Sequence, residues 1–495
     1  MPSTSNGLPA TRLYPALITL LLAPGALAQT PPADLQARID RVEHGLSSRI
    51  VVKDRPDQKM TLAERMAFHD VPAVSIALIN SQRIEWARAY GVLEPGSTHA
   101  ATPDSLFQAG SVSKTVAALG ALRLVEQGHL SLDTPANAQL QHWKIPDNTL
   151  TTQHPVTLRA LLNHSAGINV HGFFGHAQGE RLPTLLQILD GTAPANSDPI
   201  RVEAVPGSAW TYSGGGYTII QQMMADAGAQ PYPQLMQHLV LGPLQMRDST
   251  YATDLPPALR SRTAHAHPSD GQPVAGGWRV YPEAAAAGLW TTASDLARVV
   301  LDIQQSGHGA QGKVLTSAMA RQMLTRLKGD YGLGLYVEPI GAGTSFAHTG
   351  GTHGYRAQIY GYTHTGQGIV VLTNSDSGAA LVDEILVSVA AEYGWPEFQI
   401  VEKTALAPDA AVSAEVAGDY VLMDTPARVT REGDRLYFQS DLFGARPMEL
   451  FRQSGREYFM TAQDMTIAFP PATAGKVAGF ALKRGASTYS ATRKE

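Results

Sequence analysis

Phe107-Gln108-Ala109-Gly110-Ser111-Val112-Ser113-Lys114 leads into a helical pattern, with apolar side chains at Val112, Val116, Leu119 and Leu122 and a glycine, Gly128, after its end. Spacings of three and four line these side chains along one face, and Gly128 stands where a helix C′ glycine belongs. Ser111 and Lys114 lie one turn apart and share a face. At a helix start, unpaired backbone N–H groups favour developing negative charge. A serine hydroxyl there becomes a nucleophile if a partly desolvated lysine takes its proton. On the tetrad alone this reading competes with a plainer one, an N-capping serine followed by a solvated lysine.

Upstream, residues 74–79 and 84–90 are strand-like runs joined by Asn80-Ser81-Gln82-Arg83, which predicts a hairpin. Downstream, a Pro- and Gly-punctuated stretch from about 130 to 279 carries helical pieces at Leu158–Leu162 and 219–227. Thr292 and Ser294 offer N-caps to a helix through Leu296, Val299 and Ile303. Short β-runs at 346–348, 355–360 and 369–373 precede a helix over 381–393. Strands at both ends of a mainly helical middle predict an α+β domain whose single sheet is built from both ends. After Trp395-Pro396 the pattern changes. Runs at 428–431 and 435–439 flank Glu432-Gly433-Asp434, runs at 448–452 and 458–461 flank Ser454-Gly455, and two more lie at 466–469 and 477–483. These predict a small all-β barrel or sandwich.

The 495 residues allow two or three domains, and 44% apolar content fills a sizeable core. With 38 Lys+Arg against 43 Asp+Glu the net charge is −5, which argues against a broad basic surface for nucleic acid. The absence of cysteine excludes disulfides, thiol catalysis and Cys-based metal sites. Residues 1–28 read as a secretory signal: Arg12, an apolar stretch over 13–22, Pro24-Gly25, then Ala26-Leu27-Ala28. The apolar stretch falls short of the ~20 residues that span a bilayer. The expected domains are thus a signal peptide (1–28), a body (29–400) and a β-domain (401–495), in an exported protein, periplasmic or secreted, with no later membrane span.

Two further segments complete a chemical set. Trp210-Thr211-Tyr212-Ser213-Gly214-Gly215-Gly216 places a phenol before a glycine-rich bend, and a phenol near a cation loses its proton more easily. Phe346-Ala347-His348-Thr349-Gly350-Gly351 ends a short strand in glycines, which present backbone N–H groups to an oxyanion. In this order, Ser-x-x-Lys, Tyr-Ser-x and His-Thr-Gly resemble the penicillin-recognising serine hydrolases, within them the class C β-lactamase-like, penicillin-binding-protein-like and S12-peptidase-like group. Leu161-Leu162-Asn163-His164-Ser165-Ala166-Gly167, residues 287–296 and Tyr331-Gly332-Leu333-Gly334-Leu335 are similar to further stretches of that family, so the likeness covers roughly residues 60–395. The tail resembles the lipocalin-like domain appended to some members, with Val416-Ala417-Gly418-Asp419-Tyr420 close to its opening stretch.

The resemblance implies a β-lactamase-like sheet flanked by helices, with a mainly helical second subdomain. It implies Ser111 as nucleophile, Lys114 and Tyr212 as joint proton-transfer partners, the N–H groups of Ser111 and Gly351 as oxyanion hole, and His348, Thr349, Gly350 and Gly351 along the substrate. The expected activity is hydrolysis of an ester or amide in a small-molecule or short-peptide substrate, D-amino-acid peptides and β-lactams included, with no cofactor and no metal. A weakly hydrolytic or non-hydrolytic protein that binds penicillin or cell-wall peptides is the competing reading.

Two departures favour other hydrolases over efficient β-lactamases. Gly214 stands where the family usually has an amide-gripping Asn, and His348 stands where many β-lactamases have Lys. A neutral His348 in the pocket predicts that activity on carboxylate-bearing substrates rises on acidification toward the ordinary histidine pKa of ~6.5. His364-Thr365-Gly366 repeats the third motif but reads as a hairpin turn. A metal reading of His265 and His267, or of His164, His171 and His176, leaves the Ser-Lys-Tyr set unexplained.

Overall fold

The computed structural model describes residues 1–3, 33–55, 59–443, 446–484 and 487–494. All but the first three residues of the expected signal segment lie outside these. The body contains β1 (Ala73–Asn80), β2 (Arg83–Gly91), α1 (Val112–Glu126), α2 (Gly214–Gly228), α3 (Ala293–Gly307), β3 (Tyr336–Ile340), β4 (Gly343–Thr352), β5 (Tyr355–Tyr362), β6 (Gly368–Thr373) and α4 (Gly378–Tyr393). The six strands form one antiparallel sheet in the order β2-β1-β6-β5-β4-β3. The N-terminal hairpin therefore joins the C-terminal strands through β1 and β6, with Val74 opposite Thr373.

Period-two alternation sends successive side chains of the central strands to two cores. Ala77 and Ile79 of β1, with Val370 and Leu372 of β6, pack toward the helical subdomain, α1 and α3. Val74, Ile76 and Leu78, with Ile369 and Val371, pack toward α4 and the helix Ala33–Glu43. Both faces being covered, these strands read as continuous apolar runs. α1 is buried nearly all round, a central helix rather than a surface one. Of the two caps offered to α3, Thr292 is the one used, accepting from the Asp295 N–H.

The tail forms a closed antiparallel barrel of eight strands among the described residues, sealed by Gly418–Leu422 pairing with Ser487–Arg493. Tyr420, Phe438, Phe469 and Phe480 fill its interior. Its outer face meets the body where Phe451 and Phe459 bury Ile50 and Val52, on a parallel strand pair formed by Ile50–Val52 and Val401–Lys403. Arg446 adds an ion pair with Asp70 and lies over the Phe68 ring. Among the described residues no helix is long and apolar enough to cross a membrane.

Candidate active site

Close backbone approach brings the first and third motifs together. Gly110 takes a left-handed φ of +52°, and a Cβ there would lie 2.6 Å from the Gly351 nitrogen. A Cβ on Gly350 would lie 2.0 Å from the Ala109 carbonyl oxygen. Only glycine fits at either position. Thr352 Oγ1 donates to Gln108 Oε1 at 2.7 Å, and Gln108 Nε2 donates to the Arg279 carbonyl at 2.7 Å, fixing the end of β4 to the segment before α1. The Ser111 N–H meets no acceptor among the described residues.

Ser111 occupies the N-cap position of α1 with helical torsions, φ −65° and ψ −10°, and makes no capping bond. Its hydroxyl instead accepts from Lys114 Nζ at 3.0 Å. Lys114 is buried, its second partner is the Ala286 carbonyl at 2.8 Å, and burial pulls its pKa down to about 7. The plainer reading of a capping serine and a solvated lysine does not hold.

Tyr212 reaches the same pair. Lys114 Nζ stands 5.0 Å from its ring centroid. Burial pushes the phenol above its ordinary pKa, against an opposing hydrogen bond with the Ser111 side chain. The shift is opposite in direction to that expected from a nearby cation, because desolvation of the phenolate dominates.

The peptide around Tyr212 is held by a residue the sequence reading gave no role. His164, itself at φ +62°, accepts the Thr211 N–H at its carbonyl (2.8 Å) and the Ser213 N–H at Nδ1 (3.1 Å). An accepting Nδ1 in a neutral ring leaves the proton on Nε2. The ring packs 4.3 Å from that of Tyr212. The only signal was its place in the Leu161–Gly167 stretch, since hydrogen bonds to residues 47 and 49 positions away leave no local pattern.

His348 lies beneath this cluster, 1% exposed, rather than on an open surface. Its Nδ1 donates to the Thr349 carbonyl at 2.6 Å and its Nε2 accepts from the Tyr331 hydroxyl at 2.9 Å. Burial, aided by the Lys114 charge, lowers its pKa to about 3. The ring stays neutral far below pH 6.5, and the basis for activation by mild acid is lost. Along β4, Thr349 and Gly351 are exposed while Gly350 is buried against Ala109. His364 is exposed in the turn between β5 and β6, away from the cluster.

The family model described as Beta-lactamase matches residues 59–392. The chain belongs to the β-lactamase family. Like the family, it is a serine hydrolase with a penicillin-recognising fold. Penicillin-binding protein 4* of Bacillus subtilis (strain 168) is 23% identical over 433 residues, 83% of this chain and 91% of that protein. Esterase EstB of Burkholderia gladioli is 29% identical over 195 residues, 38% of this chain and 48% of the esterase. The octameric penicillin-binding protein homologue from Pyrococcus abyssi shares the fold, with a TM-score of 0.59 at 20% identity, over 87% of this chain and 98% of that one.

Proposed function

We propose that this β-lactamase-family hydrolase cleaves a carboxylic ester or amide through an acyl-enzyme on Ser111. The Lys114 amine takes the Ser111 proton as Oγ attacks the substrate carbonyl carbon. The N–H groups of Ser111 and Gly351 receive the oxyanion, a contribution of about 3 kcal/mol per donor in acyl-transfer sites. Tyr212, protonated, gives its proton to the leaving group and is reprotonated from the Lys114 ammonium. Water then enters along the reverse proton path and frees the acid. The Lys114–Ser111 hydrogen bond in a buried setting carries this reading, because it pairs the nucleophile with an amine that is half deprotonated near neutral pH. Esterase EstB among the relatives supports an ester substrate.

His348 acts here as a support for the β4 edge, while Thr349 and Gly351 line the substrate. The signal sequence over 1–28 makes the protein an exported one, and a division near residue 400 separates hydrolase and barrel. Hydrolysis of p-nitrophenyl acetate by the wild type and by Ser111→Ala, beside labelling with a fluorescent penicillin, tests the reading. Turnover lost in the variant supports it. Stable labelling without turnover of any ester points to a binding protein instead.

A further inference from the structure

Gly214 lies two residues beyond Tyr212, and the space a side chain there would need is filled. A Cβ on Gly214 would lie 3.1 Å from Cε2 of Phe173 and 3.1 Å from the His171 carbonyl oxygen. The Gly214 N–H donates to that carbonyl at 2.9 Å and the Gly215 N–H to the Val170 carbonyl at 3.0 Å. Residues 170–175 are thereby fastened along the start of α2. At their other end the Phe174 carbonyl accepts from Arg279 Nη1 (3.2 Å) and the Tyr281 hydroxyl (3.4 Å). The Tyr281 hydroxyl in turn accepts the His353 N–H at 3.1 Å, two residues beyond Gly351. The loop is therefore strung from the Tyr212 side of the cluster to the end of β4. It carries the His171 ring 5.0 Å from that of Tyr212, a half-buried Phe173, and Phe174 at 73% exposed.

A polar side chain at 214 would offer a donor and an acceptor to an acylamino group. An aromatic edge offers neither, and an amide desolvated against it loses its hydrogen bonds to water without replacement. Apolar acyl chains gain from the same surface. We infer that Phe173 determines acyl specificity, and that the preferred substrates are esters with an unsubstituted apolar acyl chain, with N-acylamino acyl groups disfavoured. The inference rests on the Ser111 acyl-enzyme reading and names the substrate class for that site.

Two chain-matched esters test it: p-nitrophenyl valerate and the p-nitrophenyl ester of N-acetylglycine, each kcat/KM divided by the hydroxide-catalysed rate of that ester. The wild type is expected to prefer valerate by about tenfold or more, the size of one unreplaced hydrogen bond. Phe173→Ala combined with Gly214→Asn is expected to shrink that ratio by about tenfold. A ratio cancels any loss of folded enzyme, and Phe173→Gln provides a second variant with the same expected direction. A wild-type ratio near one, or a ratio unmoved by the variants, overturns the inference while leaving Ser111-dependent turnover intact. Absence of Ser111-dependent turnover of both esters overturns the acyl-enzyme reading itself.

Discussion

Lys114 Nζ lies 3.0 Å from Ser111 Oγ and 2.8 Å from the Ala286 carbonyl, and burial lowers its pKa to about 7. An amine in such a setting keeps its charge only at the expense of desolvation, so it is a base above pH 7 and an acid below. The kcat/KM for a neutral ester should therefore rise through about pH 7 and level off above it. Lys114→Arg, charged at every accessible pH, should lose roughly 100- to 10,000-fold, the usual share of a general base. A profile without a limb near 7, or an active arginine variant, would show that another group takes the proton.

The His164 clamp on Thr211 and Ser213 holds the peptide on both sides of Tyr212, and in the proposed mechanism it aligns the phenol. His164→Phe keeps the ring packing but removes the Nδ1 acceptor, leaving the buried Ser213 N–H unpaired. We expect kcat to fall about tenfold or more with KM little changed, and the pH limb near 7 to stay in place, because Lys114 sets it. A change confined to KM or to thermal stability would remove His164 from the alignment of the phenol.

His348 should hold its neutral form across the working range. The Cε1 resonance of His348, assigned by loss in His348→Asn, is expected to keep its neutral position from pH 8 to pH 5, and activity on carboxylate-bearing esters should not rise on acidification. A titration midpoint near 6.5 would contradict the burial of the ring.

Much of this arrangement was legible because it is local. The Ser111–Lys114 spacing, the hairpin of residues 73–91, the helix cap at Thr292 and the turns of the barrel are set by neighbours in sequence. Long-range partners left weaker traces. Strand β3 carries Pro339, tolerated at the sheet edge but a breaker in a sequence pattern. The closing barrel strand Ser487–Arg493 is largely polar and gains its identity only by pairing with Gly418–Leu422. At the site, the depth of burial was invisible in the sequence, and burial is the main cause that reverses the expected shift of Tyr212 and, with the Lys114 charge, keeps His348 neutral.

Glu283, 1% exposed and next to the segment that supplies the Ala286 carbonyl, has one carboxylate oxygen without a hydrogen-bond partner, and burial raises its pKa to about 7. The unfolded chain releases this proton at lower pH than the folded one, so stability falls as pH rises from the ordinary Glu value to about 7, and stays reduced above it. Relative to wild type, Glu283→Gln should be favoured more at pH 8 than at pH 5, by on the order of 3 kcal/mol in urea unfolding. An equal difference at both pH values would mean the carboxyl is not held neutral.

The proposed acyl-enzyme on Ser111 can be observed directly. Intact protein quenched in acid during turnover of a p-nitrophenyl ester should carry one added acyl mass, and fragmentation should place it on the peptide bearing Ser111, with no adduct in Ser111→Ala. An adduct on another residue, or undiminished turnover by Ser111→Ala, would contradict the account.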